Sequence, residues 1–352
     1  MTKNSSATMT RRLHPLTLSI MLGTLLPCAL VSTPALARTA HMSHLPSRTI
    51  EIEDTVHIVG LGTLGENSSG NASFSPEAIT LRTGKSNAVI PLDAVRAFSI
   101  EHSNRTLLRG PAGSILGFAP KGMGQIYRAI RPGAETLTIL YTDENEALHT
   151  AVMVVPKDRK DDVFEAMGRT NLPSDPTLGG FHRTTPIAIN GLYAAQRNST
   201  FHTARPAVQL LMPRSSAEEM PSAFLAGIYE ETIQELQKSG AFSVVWRDGD
   251  VRADPGTMTL TMNVTSVCKG SAGVRGGLPV VGMFAGKTLI RADIRLTDPA
   301  GTVLLEREFK GSKRLPGENM KATETLARRV SAKLEKLPIL TEGPSALAMN
   351  RH

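Results

Sequence analysis

From Met258 to Val264 every second residue is apolar. Met258, Leu260, Met262 and Val264 alternate with Thr257, Thr259, Thr261 and Asn263, and TLIRADIRLT (288–297) repeats the pattern with Ile290, Ala292, Ile294 and Leu296 against Arg291, Asp293 and Arg295. A period of two over such lengths predicts strands with one covered face and one wet face. The chain must therefore build a sheet here and supply apolar cover for one side of it. Asp298-Pro299-Ala300-Gly301 then predicts a turn into TVLLEREF, completing a hairpin. Two helices can supply the cover. In SSAEEMPSAFLAGIYEETIQELQKSG, Phe224, Leu225, Ile228, Tyr229, Thr232 and Leu236 share a face, with Glu230, Gln234 and Lys238 opposite. Ser215 or Ser216 is its expected cap, and Gly240 its end. A last helix stripes Leu326, Val330, Leu334 and Leu337 before Pro338 stops it. With AVQLLMP and AFSVVW as short strands, 205–337 reads as an α+β domain, an antiparallel sheet with helices on one face.

Residues 50–168 read differently. TVHIVGLG, AITLRT, NAVIPL, VRAFSIEH, TLTILY and LHTAVMVV are candidate strands separated by turn signals. After Pro156 the period changes: PKDRKDDVFEAMGR opens with acids and sets Val163, Phe164 and Met167 at helical spacing. A run of strands closed by one helix predicts a β-rich small barrel capped by that helix. The order, and SPEAITLRTGKSNAVIPLDAVRAFSI in particular, resembles the opening strands of bacterial pleckstrin-homology-like domains. That resemblance implies a binding platform and brings no catalytic residues with it. Residues 169–204, with Pro173, Pro176 and Pro186, predict a linker, and 38–49 and 338–352 flexible terminal segments.

The amino terminus predicts export. Lys3, Arg11 and Arg12 precede an apolar run from Leu16 to Val31, followed by Pro34-Ala35-Leu36-Ala37, the order of a secretory signal peptide over 1–37. Pro27 interrupts the run before it reaches the roughly 20 residues of a membrane span. LLPC at Cys28 resembles a lipoprotein cleavage box, but Pro27 stands where such boxes carry a small residue, so soluble export to the periplasm or medium is the first reading, and lipidation with outer-membrane association the second. Removing 1–37 leaves 36 basic against 32 acidic side chains, a net charge of +4. With aromatics at 4% and no basic stripe, nothing favours nucleic acid as a partner. Cys268 becomes the sole cysteine, so no intrachain disulfide can form; after a strand, it is expected to be a small buried hydrophobe.

Two glycine motifs suggest nucleotides and fail on their surroundings. Gly60-x-Gly62-x-x-Gly65 follows a strand, yet ENSSGNASFSPE cannot open the helix on which a pyrophosphate rests, and Arg82 and Lys85 occupy the window where an acid should hold the ribose. The glycines are expected to serve a bend or bulge. LPVVGMFAGKTL has three residues, not four, between Gly282 and Gly286, and a strand pattern follows. G-x-S-x-G and H-E-x-x-H are absent, and the histidines are scattered apart from His41-x-x-His44. His149, within a strand, reads as structural. The chain predicts no catalytic residues, no metal ligands, no cofactor and no nucleotide.

Two glycine-rich stretches are the candidate surfaces. Between Gly270 and Gly286, Leu278, Val280, Val281, Met283 and Phe284 lie on a flexible backbone, with Arg275 and Lys287 at the rim. Ordering such a loop costs about 1–2 kcal/mol per residue, which contacts must offset, either with its own domain's core or with a partner. Between Arg105 and Pro132, Arg109, Ile115, Leu116, Phe118, Lys121, Tyr127 and Arg128 form a secondary candidate, a cover for the barrel or an apolar and basic surface for a partner or an anionic membrane.

Gly273, Arg275 and Gly277, then Gly286-Lys287, then Leu296-x-Asp298-x-x-Gly301-x-Val303, together resemble the bacterial family catalogued as domain of unknown function 4410, over 205–337. The resemblance implies an exported protein, often lipidated and without an agreed activity. Its layout is also similar to amino-terminal domains of envelope proteins that assemble in rings or trans-envelope complexes. The expectation is a non-catalytic binding or assembly component of the bacterial envelope, whose partner is an envelope protein or another copy of the chain. An envelope-polymer hydrolase of unrecognised type and a lipid or small-ligand carrier are the alternatives.

Overall fold

The computed structural model describes residues 49–84, 86–102, 134–168, 205–217, 220–268, 288–313 and 320–337. All belong to one compact unit, Leu45–His352. The expected signal peptide, the 169–204 linker and both candidate glycine-rich surfaces, including Val281, Phe284, Arg109 and Phe118, lie outside the described residues.

The first sheet is a seven-stranded antiparallel meander. Its strands are β1 (Ile50–Val59), β2 (Ser69–Phe74), β3 (Ala78–Thr83), β4 (Asn87–Pro91), β5 (Val95–His102), β6 (Glu135–Thr142) and β7 (Leu148–Val155), in spatial order β4-β3-β2-β1-β7-β6-β5. The path is open: among the described residues no ladder joins β4 to β5, so the closed barrel expected of this segment is not formed by strand pairing. β4 is short, exposes alternate residues and ends in Pro91, which has no N–H to offer a further strand. Helix α1 (Lys160–Gly168) follows β7 and packs on β1 and β5, burying Val163 and Met167 in the core formed by Ile52, Phe74, Leu81, Ile90, Phe98, Leu137, Ile139 and Met153.

The second sheet is mixed rather than antiparallel throughout. β8 (Val208–Leu210) leads through β9 (Arg214–Ser215) and α2 (Ser222–Ser239) to β10 (Val245–Arg247), which pairs with β8 in parallel. The intervening helix explains this, because a chain that crosses over through a helix returns pointing the same way. β8 also pairs in parallel with β11 (Met258–Cys268), and only β11, β12 (Thr288–Thr297) and β13 (Val303–Lys313) form the antiparallel hairpins that the alternation predicts. Helix α3 (Lys321–Leu334) packs on β12 and β13 and against α2. Leu326, Val330 and Leu334 are buried as the stripe requires.

Helix α2 departs most from expectation. It begins after Pro221, not at Ser215 or Ser216; Ser215 lies in β9 instead. It ends as predicted, with Gly240 left-handed at φ +61°. It is buried nearly all round, because it lies between the second sheet with α3 and the first sheet, where it packs on β1, β6 and β7. Val56, Ile58, Val152 and Val154 of the first sheet accordingly share one core with α2, α3 and the second sheet. Cys268, expected to be buried, is exposed at the end of β11.

Candidate functional site

The clearest polar construction begins at a glycine. Gly60 follows β1 with φ +99°, and a Cβ there would stand 1.6 Å from the Thr150 carbonyl oxygen. Only glycine can make this turn against β7. Gly62 and Gly65 have open space where a Cβ would be, so of the three motif glycines this one is required by the fold, and it serves a bend. Once β1 leaves the sheet, Leu148 and Thr150 of β7 have backbone groups with no strand beside them: the β1 ladder reaches only Val152. The loop beyond is set by buried His57. Leu61 N–H donates to Nε2 (3.1 Å), so Nδ1 carries the proton and donates to the Gly65 carbonyl (3.0 Å).

The notch in β7 is filled from the second half of the chain. Leu148 N–H donates to the Asp248 carbonyl (2.8 Å), and Val251 N–H to that of Asn145 (3.0 Å). The Leu148 carbonyl accepts from Tyr229 Oη (3.2 Å) and Arg247 Nη1 (3.3 Å). Thr150 donates to Glu230 Oε1 from both its N–H (2.9 Å) and its hydroxyl (3.2 Å). Arg247 grips Glu230 with two parallel bonds of 2.8 and 2.7 Å, and its guanidinium lies over the Tyr229 ring. Tyr229 Oη also accepts from Asp248 N–H (2.9 Å). Sequence periodicity assigns Glu230 to the exposed face of α2; it is instead 2% exposed, because that face meets the first sheet.

Burial dominates the electrostatics. It works against the Arg247 cation, but the charge and hydrogen bonds of Glu230 outweigh it and hold the guanidinium above its ordinary value. Burial pushes the Tyr229 phenol up, and that of Tyr141 up to about 12. With both Glu230 oxygens engaged by Arg247 and one also by Thr150, the cluster offers no free nucleophile or base. It can hold two sheets together, and its chemistry is that of attachment.

Beside it lies a second, half-buried group. His149 stacks on Tyr141 (ring centroids 5.3 Å apart) and its Nε2 lies 3.4 Å from Asp143 Oδ2. Asp143 Oδ1 accepts from Asn145 N–H (2.8 Å) and Ala147 N–H (3.0 Å), so this carboxylate also builds the β6–β7 turn. Burial lowers the His149 pKa, the Arg247 charge lowers it further, and Glu230 and Asp143 oppose both. Burial works to raise Asp143, yet the two backbone N–H bonds and His149 hold it below the usual carboxylate range. Among the described residues no three His, Cys, Asp or Glu side chains are grouped to hold a metal ion.

The sequence marked Gly60 as a bend and His149 as structural; it did not bring Tyr229, Glu230, Arg247 and Thr150 together. The one available signal was the pair of aromatic and acid, Tyr229-Glu230, directly after the apolar run Ala223–Ile228 of α2.

No family model matches the chain, and no curated protein matches it. Among solved structures, two dodecamers of PelC from Paraburkholderia phytofirmans are similar. One, a variant with a single leucine-to-methionine substitution, is 14% identical over 37% of this chain and 90% of that chain; the other is 15% identical over 38% and 89%. Both have TM-scores of 0.26, too low to establish a common fold.

Proposed function

We propose that this protein is an exported, non-catalytic binding or assembly component of the bacterial envelope that makes its contacts at one end of the molecule. The observation that carries this is a convergence of chain exits. Gly227 of α2 lies against Met320 and Thr323, and Ser331 of α3 donates to the Glu235 carbonyl of α2 (3.0 Å), so α2 and α3 run parallel and start at the same end. Glu101, at the end of β5, accepts from Ser222 N–H at the start of α2 (2.8 Å). Gly311, near the end of β13, lies against Ala322 at the start of α3. Register adds Cys268 to Leu289 and Thr288 to Lys313. His102 and Glu135, which flank the basic and apolar stretch around Phe118, therefore stand at the same end as Cys268 and Thr288, which flank the stretch around Phe284. Two segments whose composition suits a partner leave the fold on one side, and the buried joint between the sheets fixes their attachment points relative to each other.

The same reading takes the first sheet and α1 as a pleckstrin-homology-like platform, supported by its meander order and the helix after the last strand, and the second half as similar to domain of unknown function 4410. Replacing Val281 and Phe284 together with Ser tests the contact surface. Unchanged melting temperature, with loss of self-association in sedimentation or of crosslinked partners from the envelope, is the expected result. A lowered melting temperature would assign the loop to its own core, and unchanged association would remove it from the interface.

A further inference from the structure

The outer edge of the second sheet offers a further strand a place to pair. β13 ends the spatial order β10-β8-β11-β12-β13, is 11 residues long, and keeps an unbroken register with β12 from Leu305 to Lys313. Hydrogen bonds elsewhere in the sheet determine which of its backbone groups are in use. The Leu260 and Val264 carbonyls of β11 accept from Leu211 and Ser216 N–H, on the side of β8 and β9, so Thr259 and Thr261 turn to β12, where Thr297 and Arg295 face them. Leu296, Ile294 and Ala292 therefore turn the other way and bond Leu305, Arg307 and Phe309 of β13. Glu306, Glu308 and Lys310 are left with N–H and C=O groups directed out of the sheet, and all three are exposed. From Leu305 onward this edge has neither proline nor bulge, and such an edge is a template for another strand unless something blunts it.

What blunts it is one side chain. Arg329, an exposed residue of α3, reaches the edge and donates from Nη1 to the Lys310 carbonyl (2.6 Å). That carbonyl is the one a second copy would need. Antiparallel pairing of two β13 edges about Phe309 sets Glu308 opposite the second copy's Lys310, and Lys310 opposite its Glu308, as hydrogen-bonded pairs. Glu308 and Lys310 are already in contact within one chain (3.1 Å), so the four side chains would form a ring of alternating charge. In the same register Arg307 meets Gly311 and Glu306 meets Ser312, and no like charges stand directly opposite. We propose that the β13 edge is a self-pairing site for a second copy of this chain, held closed by Arg329. The pairing is isologous, one two-fold axis passing beside Phe309, and it consumes the bond that Arg329 now makes. This surface is separate from the stretch around Phe284 and does not depend on what that stretch binds.

Arg329→Ala removes the clasp and leaves the edge intact. Sedimentation velocity over a concentration series is expected to show self-association about tenfold or more stronger in Arg329→Ala than in the unaltered protein, because a charge-assisted hydrogen bond no longer competes with pairing. Adding Glu308→Lys should abolish that gain by setting lysines opposite each other. Adding Lys310→Glu as well should restore it, since both charges are then reversed. Association through any other surface is common to all four proteins and cancels from the comparison. Hydrogen exchange in the dilute unaltered protein gives a second measurement: the Glu306 and Glu308 amides should exchange freely, and those of Arg307 and Phe309, bonded to β12, slowly. Equal association in Arg329→Ala and the unaltered protein, a gain that survives Glu308→Lys, or protected Glu306 and Glu308 amides would overturn the proposal.

Discussion

The two sheets treat their faces differently. β11 and β12 keep Met258, Leu260, Met262, Ile290, Ala292 and Ile294 buried, while Thr261, Asn263, Asp293 and Arg295 lie outside the core. In the first sheet, β6 and β7 are buried on both faces along most of their length, because α1 and the inner core take one side and α2 the other. Threonine shows what this means. Thr261, on the wet face, donates to the Arg295 carbonyl at 3.3 Å; Thr138, at the centre of β6, is wholly buried and its hydroxyl has no hydrogen-bond partner among the described residues. A polar residue on a strand therefore marks an open face only where nothing packs on that face, and the second sheet meets this condition while the first does not.

The sharpest way to break the contrast is to remove what makes the first sheet two-sided. Glu230→Ala leaves Arg247, 18% exposed at its side chain, without its counter-charge and strips the Thr150 N–H of its acceptor. The expected cost is about 3–5 kcal/mol, read from denaturant unfolding. An intermediate effect of opposite sign should come from Thr138→Val, which replaces an unpartnered buried hydroxyl with a methyl of similar shape and is expected to gain about 1 kcal/mol. The same exchange at Thr261 should change stability by no more than about 0.5 kcal/mol, because the site is outside the core and the sheet is indifferent to its polarity. Equal effects at 138 and 261 would erase the distinction between the sheets.

That distinction also determines what could be read in advance. The alternation of β11 and β12, the Asp298 turn, whose carboxylate accepts from Ala300 and Thr302 N–H, the Gly240 stop and the α3 stripe are local, each set by neighbours a few residues away. Glu230 is not of this kind. Its partners are Arg247, 17 residues on, and Thr150, 80 residues back, so helical periodicity alone puts it in water. The parallel pairing of β8 with β10 is likewise a consequence of where α2 packs, and strands of three residues carry no period by which to foresee it. Gly60 lies between the cases: the sequence shows that a bend is needed, and the Thr150 carbonyl shows why. His57 was hidden for the same reason as Glu230, since a buried polar side chain resembles an exposed one until its partners are placed.

One residue of β1 has a wider reach than its size suggests. Asp54, left-handed at φ +55°, lies within a break in the β1–β2 register between Ile52 and Thr55. Before it, Ile50 and Ile52 serve the core of α1; after it, Val56 and Ile58 serve the core of α2, although all four are even-numbered and an unbroken strand would turn them to the same side. The bulge acts as a change of reading frame in space. The same residues run as an unbroken strand would still alternate, but they would send Val56 and Ile58 toward α1 and the imidazole of His57 toward α2, exchanging the messages meant for two different neighbours.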